Sequence, residues 1–221
     1  MSSRDEILNR IRAGRSGAKP HPGSGPSPKR GQVAGAERKA LFVRMAQQAL
    51  ASVDEARSRA EVPGLVKNYL SQHNLPAEAR LAPDPRITGL DWASQPLLST
   101  SVGGTDGSHP ISVTGAFAGV AETGTLALTS GAPSPTLLNF LPETHIVVLD
   151  AKDLAGTYEE LWARLKAQYG ETMPRTLNLV TGPSRSGDIE QTILMGAHGP
   201  KRLHIIPVSY THLTLPTNRE V

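Results

Sequence analysis

The sequence predicts a single α/β domain over residues 37–208, with a parallel-rich sheet between helices. Two observations carry this. Beyond Pro110, short apolar runs of strand length alternate with a segment of helical period, and such βαβ alternation needs crossover helices and therefore parallel strands. A chain of 221 residues suits one domain with its own core and excludes a multi-domain machine.

Each element follows from its local pattern. Ser3, Arg4, Asp5 and Glu6 precede Ile7, Leu8 and Ile11, a capping box before apolar residues at helical spacing; a short helix over 4–13, suited to docking, is expected. Residues 14–36 are rich in Pro and Gly and almost empty of apolar side chains, so ordering them gains too little burial, and they read as a linker. The basic residues Arg15, Lys19, Lys29 and Arg30 leave contact with an acidic partner as the alternative to a solvated tether. Leu41, Met45, Ala49 and Val53, then Val62, Leu65, Val66, Tyr69 and Leu70, recur at the helical period. They predict two helices broken near Pro63, covering one sheet face. Pro76, Pro83 and Pro85 mark 75–92 as a looping strand region, and 96–101 adds a short apolar run. Strand-type runs follow at 111–114, 120–128 and 145–149. Tyr158, Leu161, Trp162, Leu165 and Tyr169 share one helical face, and then come a strand at 177–180, a short helix at 188–195 and a strand at 203–206. Residues 209–221 have no helix or strand period. They look like the translated read-through of a sequencing adapter, so this tail, His212 included, is expected to be non-native.

Composition narrows the function. Lys and Arg number 23 against 20 acidic residues, and the chain has nine aromatics, too little charge and too few rings for a nucleic-acid platform. No stretch approaches the roughly 20 apolar residues of a membrane span, and Asp5, Glu6, Arg10 and Arg12 interrupt any signal-peptide block. A cytoplasmic protein is expected. The absence of Cys removes disulfides, thiol nucleophiles and a cluster held by the chain's own thiolates. No cofactor is therefore expected in this chain, and redox chemistry beside it would belong to a partner. The seven His make no H-E-x-x-H and no close pair, so no metal site is expected either.

Two segments carry possible chemistry. In GVAETGTLAL, from Gly119, a carboxylate and two hydroxyls flank a glycine between apolar runs. Glu122 reads as a general base or nucleophile at a strand end, with Thr123, Gly124 and Thr125 as ligand contacts, or else as the cap of a turn. On an alternating strand Glu122 would share a face with Val120 and Gly124. A buried carboxylate there needs His145, His198 or Arg202 as partner, or an opening to a cleft. In the second segment a strand ends near Thr181, a Gly, Pro and Ser-rich loop follows, and Asp188 with Gln191 forms a capping box. Thr181, Gly182, Ser184, Ser186 and Asp188, with Arg185 as a further donor, describe either an anion site at a helix start or a self-capped helix. His198, between Gly196 and Gly199 and just before Arg202, is the foremost titrating candidate. His145 opens an apolar run and either faces a site at the strand edge or is structural. His109 sits in a turn-rich loop with Gly103, Gly104 and Gly107.

These residues also carry a resemblance. GVAETGTLAL, then LPETHIVVL from Leu141, then TGPSRSGDIEQTILMGAHGPKRLHIIPV from Thr181, resemble three consecutive signatures of the LUD-domain family, in its lactate-utilisation protein C branch. The likeness spans 98–208, and the N-terminal helix and variable linker are similar to that branch as well. The resemblance implies an α/β fold similar to those of ribose-5-phosphate isomerases and CoA transferases. It also implies a role in oxidising L-lactate to pyruvate beside two iron–sulfur partner subunits. The rival reading is an enzyme or binder of a small carboxylate, phosphate or CoA-like ligand that uses Glu122 and the 181–188 loop. The two separate on geometry, because a site requires Glu122, His145, Ser184 and His198 to converge on one concave pocket.

Overall fold

The computed structural model describes residues 3–16, 29–187, 193–196 and 198–209. In chain order the elements are α1 (Ser3–Ser16), α2 (Gly35–Gln48), β1 (Ser52–Val53), α3 (Val62–Gln72), β2 (Glu78–Leu81), α4 (Pro85–Thr88) and β3 (Ser99–Val102). They continue as β4 (Ile111–Gly115), β5 (Ala118–Val120), β6 (Thr125–Thr129), β7 (Thr144–Asp150), β8 (Leu154–Ala155), α5 (Tyr158–Tyr169) and β9 (Leu177–Val180). A hairpin of β10 (Arg185–Gly187) and β11 (Ile193–Met195) and the last strand, β12 (Arg202–Val208), complete the described chain.

Six strands form the main sheet in the order β1-β12-β7-β4-β2-β3, and every neighbouring pair is parallel. At its centre, all seven residues of β7 are buried. A parallel strand covered on both faces reads as a continuous apolar run, which is how THIVVLD reads. The pleat sends Ile146 and Val148 into one core cluster, with Val66, Tyr69 and Leu70 of α3, and Val147 and Leu149 into another, with Leu41 and Phe42 of α2. Helices α2 and α3 thus cover opposite faces, where the sequence suggested one. The break between them is also wider than a Pro63 kink: it spans 49–61 and contains β1, while Pro63 sits in the first turn of α3, where its missing N–H costs nothing.

A second sheet, ordered β8-β5-β6-β9, lies over the α2 side and is built from excursions between strands of the first. Strands β5 and β6 form an antiparallel hairpin inserted between β4 and β7; β8 and β9 come from the stretch between β7 and β12. The run at 120–128 is therefore two strands and a turn. Leu126 and Leu128 face the main sheet, whereas Val120 and Ala127 pack outward against Leu161 and Leu165 of α5. Where the sheets meet, a Cβ on Gly119 would stand 2.8 Å from Leu149, Leu154 and Phe42.

The N-terminal part departs from its expected boundaries. Helix α1 runs on to Ser16, with Ile7 and Leu8 exposed. At the far end of the Pro/Gly-rich stretch, Gly31 is buried against Gly156, and Val33 packs on the second core cluster. No helix among the described residues is long and apolar enough to cross a membrane.

Substituting Gly119 by Ala overpacks the contact between the sheets, and a loss of about 1–3 kcal/mol is expected. Urea unfolding of the variant checks it, and an unchanged midpoint would contradict the close approach.

Candidate functional site

At the end of β9 the chain leaves the second sheet beside the starts of β7 and β12. Between them lies a cavity of about 280 Å³ lined by Asn139, His145, Thr181, Ser184, Arg185 and His198, among others. This is the scale of a small metabolite site.

The floor is polar and buried. His145, the second residue of β7, has no exposed surface, and its Nε2 lies 2.7 Å from Thr114 Oγ1 on β4. The parallel register pairs Ser112 with His145 and Thr114 with Val147, so the His–Thr contact is a diagonal one across the strands. Burial drives the His145 pKa down from 6.5 to about 3, so the ring is neutral near pH 7 and carries one proton. Its Nδ1 has no hydrogen-bond partner among the described residues. Asn139 ends the short 3-10 turn Thr136–Asn139, which is fastened to the sheet where Ser112 Oγ donates to the Leu138 carbonyl at 2.6 Å. Asn139 is 3% exposed, and its Oδ1 is likewise without a partner among the described residues. Buried polar atoms are almost always bonded, so two orphans on residues that line one cavity are informative.

The rim comes from the loop after β9. Gly182, buried and at φ +73°, turns the chain against the Ala49 carbonyl at the end of α2. The Ser184 N–H donates to the Pro200 carbonyl at 2.9 Å and the Gly196 N–H to the Ser184 carbonyl at 2.9 Å, which ties the loop to the segment carrying His198. Arg185 and His198 are exposed, and Arg185 pairs with no carboxylate among the described residues. Ser186 lies on β10. Asp188 and Gln191, the expected capping box, fall outside the described residues, as does most of the expected helix at 188–195. Its end, Ile193–Met195, is a strand paired antiparallel with Arg185–Gly187. Ile-Leu-Met suits either state, and cross-strand pairing decides it.

Glu122 stands elsewhere. It lies in the turn between β5 and β6, and its buried carboxylate meets none of His145, His198 and Arg202. Instead, the Tyr158 N–H, first in α5, donates to Glu122 Oε1 at 3.1 Å. A helix start offers unpaired N–H groups and a positive dipole end, which is how a buried carboxylate is satisfied here without a cationic side chain. Gly124, at φ +69°, answers a close approach of the α2 backbone at Met45 and Ala46 rather than of a ligand. Thr123 and Thr125 join a chain of hydroxyls: Thr125 Oγ1 lies 2.7 Å from Thr123 Oγ1, 2.9 Å from the Tyr158 hydroxyl and 2.6 Å from Thr181 Oγ1. This chain runs from the Glu122 turn to the cavity's edge. His109 is separate, bonded to Thr105 and Ser108 in its own loop.

The structure thus brings His145, Thr181, Gly182, Ser184 and His198 together and leaves Glu122, Thr123, Gly124 and Thr125 outside. Asn139 was missed, since PTLLNF has no motif and only the turn seats it. A larger cavity of about 530 Å³ opens where β2, β4 and β7 end, the usual ligand position in α/β folds. Its Arg86 is held by Asp84 through contacts of 2.8–3.2 Å. We take the smaller cavity as the site because its polar floor lacks internal partners.

A LUD domain matches residues 40–208. The chain belongs to the LUD-domain family. Within it, the chain is 34% identical over 92 residues to lactate utilization protein C of Geobacillus sp. strain WCH70, and 35% identical over 100 residues to that of Halalkalibacterium halodurans. These stretches cover 41% and 44% of this chain and only 38% and 44% of the two relatives. The fold is shared with the crystal structure of a DUF162 family protein from Deinococcus radiodurans, at TM-score 0.62 and 23% identity, covering 80% of this chain and 99% of that one.

Two outcomes test this description of the LUD domain. If Glu122 is a helix cap, Glu122→Ala costs about 1–2 kcal/mol and Glu122→Gln, which keeps an acceptor, distinctly less. Denaturant titration of both variants reads the order, and equal losses would contradict it. For His145, the unfolded chain takes up a proton below pH 6.5 that the folded chain refuses until about pH 3, so stability falls as pH drops through that window. His145→Gln should reduce the stability lost between pH 7.5 and 5 by about 1–2 kcal/mol. Urea midpoints at both pH values check this; an equal loss in both proteins would contradict it.

Proposed function

We propose that this LUD domain is a subunit of a system that oxidises L-lactate to pyruvate and works with iron–sulfur partner proteins. The observation that carries the reading is the similarity to proteins named lactate utilization protein C. The sequence is consistent with that division of labour: these 221 residues contain no Cys, so thiolates for an iron–sulfur cluster would have to come from outside them. The cavity supports a second role within the first. Exposed Arg185 and His198, with Ser184 and Thr181, offer donors for the charged end of a small anion, and the enclosed volume suits a ligand of a few heavy atoms. Glu122 is left out of that role, since its carboxylate is spent on α5.

The tagged chain, expressed with its genomic neighbours, should co-purify with a Cys-rich iron–sulfur protein. Its deletion should arrest growth on L-lactate while leaving growth on pyruvate intact. Failure to associate, together with unimpaired growth of the deletion strain on L-lactate, would overturn the proposal.

A further inference from the structure

We infer that α1 is a recognition helix that seats Ile7 and Leu8 in an apolar, acid-rimmed groove of a partner protein. The inference rests on reading this chain as a subunit and adds the surface through which it is held.

Three observations carry it. The first is an apolar face without cover. Ile7 and Leu8 are 57% and 37% exposed, and the side chains from Ser3 to Arg10 are all exposed, so this stretch adds nothing to the core clusters of the domain. A lone helix of 14 residues is marginal in water, and contact with another surface ordinarily supplies what it lacks. In sequence the stripe continues at Ile11, one helical turn on, which is the spacing by which a helix fills a groove.

The second observation is charge. Residues 1–36 hold seven Lys and Arg against two acidic residues, whereas residues 37–208 hold 15 against 17. The basic excess of the chain thus lies in this arm, and the surface complementary to it is acidic. Asp5 and Glu6 occupy the first turn of α1, where they complement the positive end of the helix, and Arg10, Arg12 and Arg15 follow the apolar stripe.

The third is reach. The chain is fixed to the domain at Gly31, buried against Gly156, and at Val33 on the second core cluster. The 12 residues between Ser16 and Lys29 contain no Val, Leu, Ile, Met, Phe, Tyr or Trp to hold them there. They span at most about 40 Å, enough for α1 to engage a surface beyond the domain. A lipid surface fits less well, since three apolar side chains on a helix with an acidic first turn bury little. A protein groove needs only such anchors.

The full chain, tagged at its C-terminus and expressed with its genomic neighbours, is to be compared with Ile7→Asp/Leu8→Asp and with Arg4→Gln/Arg10→Gln/Arg12→Gln/Arg15→Gln. Every substitution lies in α1, outside the core, so the thermal midpoint should be unchanged. Recovery of the Cys-rich iron–sulfur protein should fall about tenfold or more in the apolar variant. The arginine variant should recover less at low salt and lose less than wild type as salt is raised. Undiminished recovery by either variant would overturn the inference and leave the subunit reading in place, whereas no recovery by the wild type would overturn both. A loss confined to a dimer seen in sedimentation, or to binding of vesicles of phosphatidylcholine and phosphatidylglycerol, with recovery unchanged, would put a second copy or a lipid surface on α1 and overturn it as well.

Discussion

The central strand β7 sends no side chain to solvent, and this burial constrains everything around it. Both faces need cover, so α3 lies against one and the second sheet with α2 against the other. The polar residues of the strand need partners inside the protein, since a buried polar atom without one costs about 1–3 kcal/mol. Asp150, at one end, meets Arg59 at 2.6 Å. His145, at the other, meets Thr114 through one nitrogen and leaves the second unsatisfied beside a cavity. The strand's two ends differ, and the unsatisfied one lies beside the candidate cavity.

The second sheet follows from the same constraint. Parallel neighbours cannot be joined by a tight turn, so each return path between strands has to cross the sheet. Here two of these paths are strands that pair with each other, and their hairpin turn presents Glu122 to the start of α5. The hydroxyl chain through Thr125 and Thr181 then connects that turn to the loop that forms the cavity's rim. A residue that looks catalytic in sequence thus binds the start of α5 instead.

How much of this was legible in the sequence depended on whether local pattern or tertiary contact decided the outcome. The strands at 111–114, 145–149, 177–180 and 203–206 and helix α5 stood out because their apolar period matches their burial. The division of 120–128 into two strands did not, since a turn of Ala, Glu, Thr and Gly reads as an interrupted run. The β11 strand looked like a helix end because Ile193, Leu194 and Met195 are apolar in either state and only the pairing with Arg185–Gly187 distinguishes them. Among the residues that line the cavity, Thr181, Ser184, His145 and His198 could be found because loop chemistry and lone histidines are conspicuous. Asn139 could not. Its place at the cavity comes from a turn fastened by Ser112, 27 residues before it in sequence, and nothing local signals that attachment.

The candidate site turns on a neutral, fully buried His145 beside the cavity. Nitrogen-15 NMR of the His145 ring, recorded across pH 7.5 to 5, addresses this most directly. The expected result is a neutral ring throughout, with one protonated and one unprotonated nitrogen. A ring that titrates near pH 6.5 would contradict it.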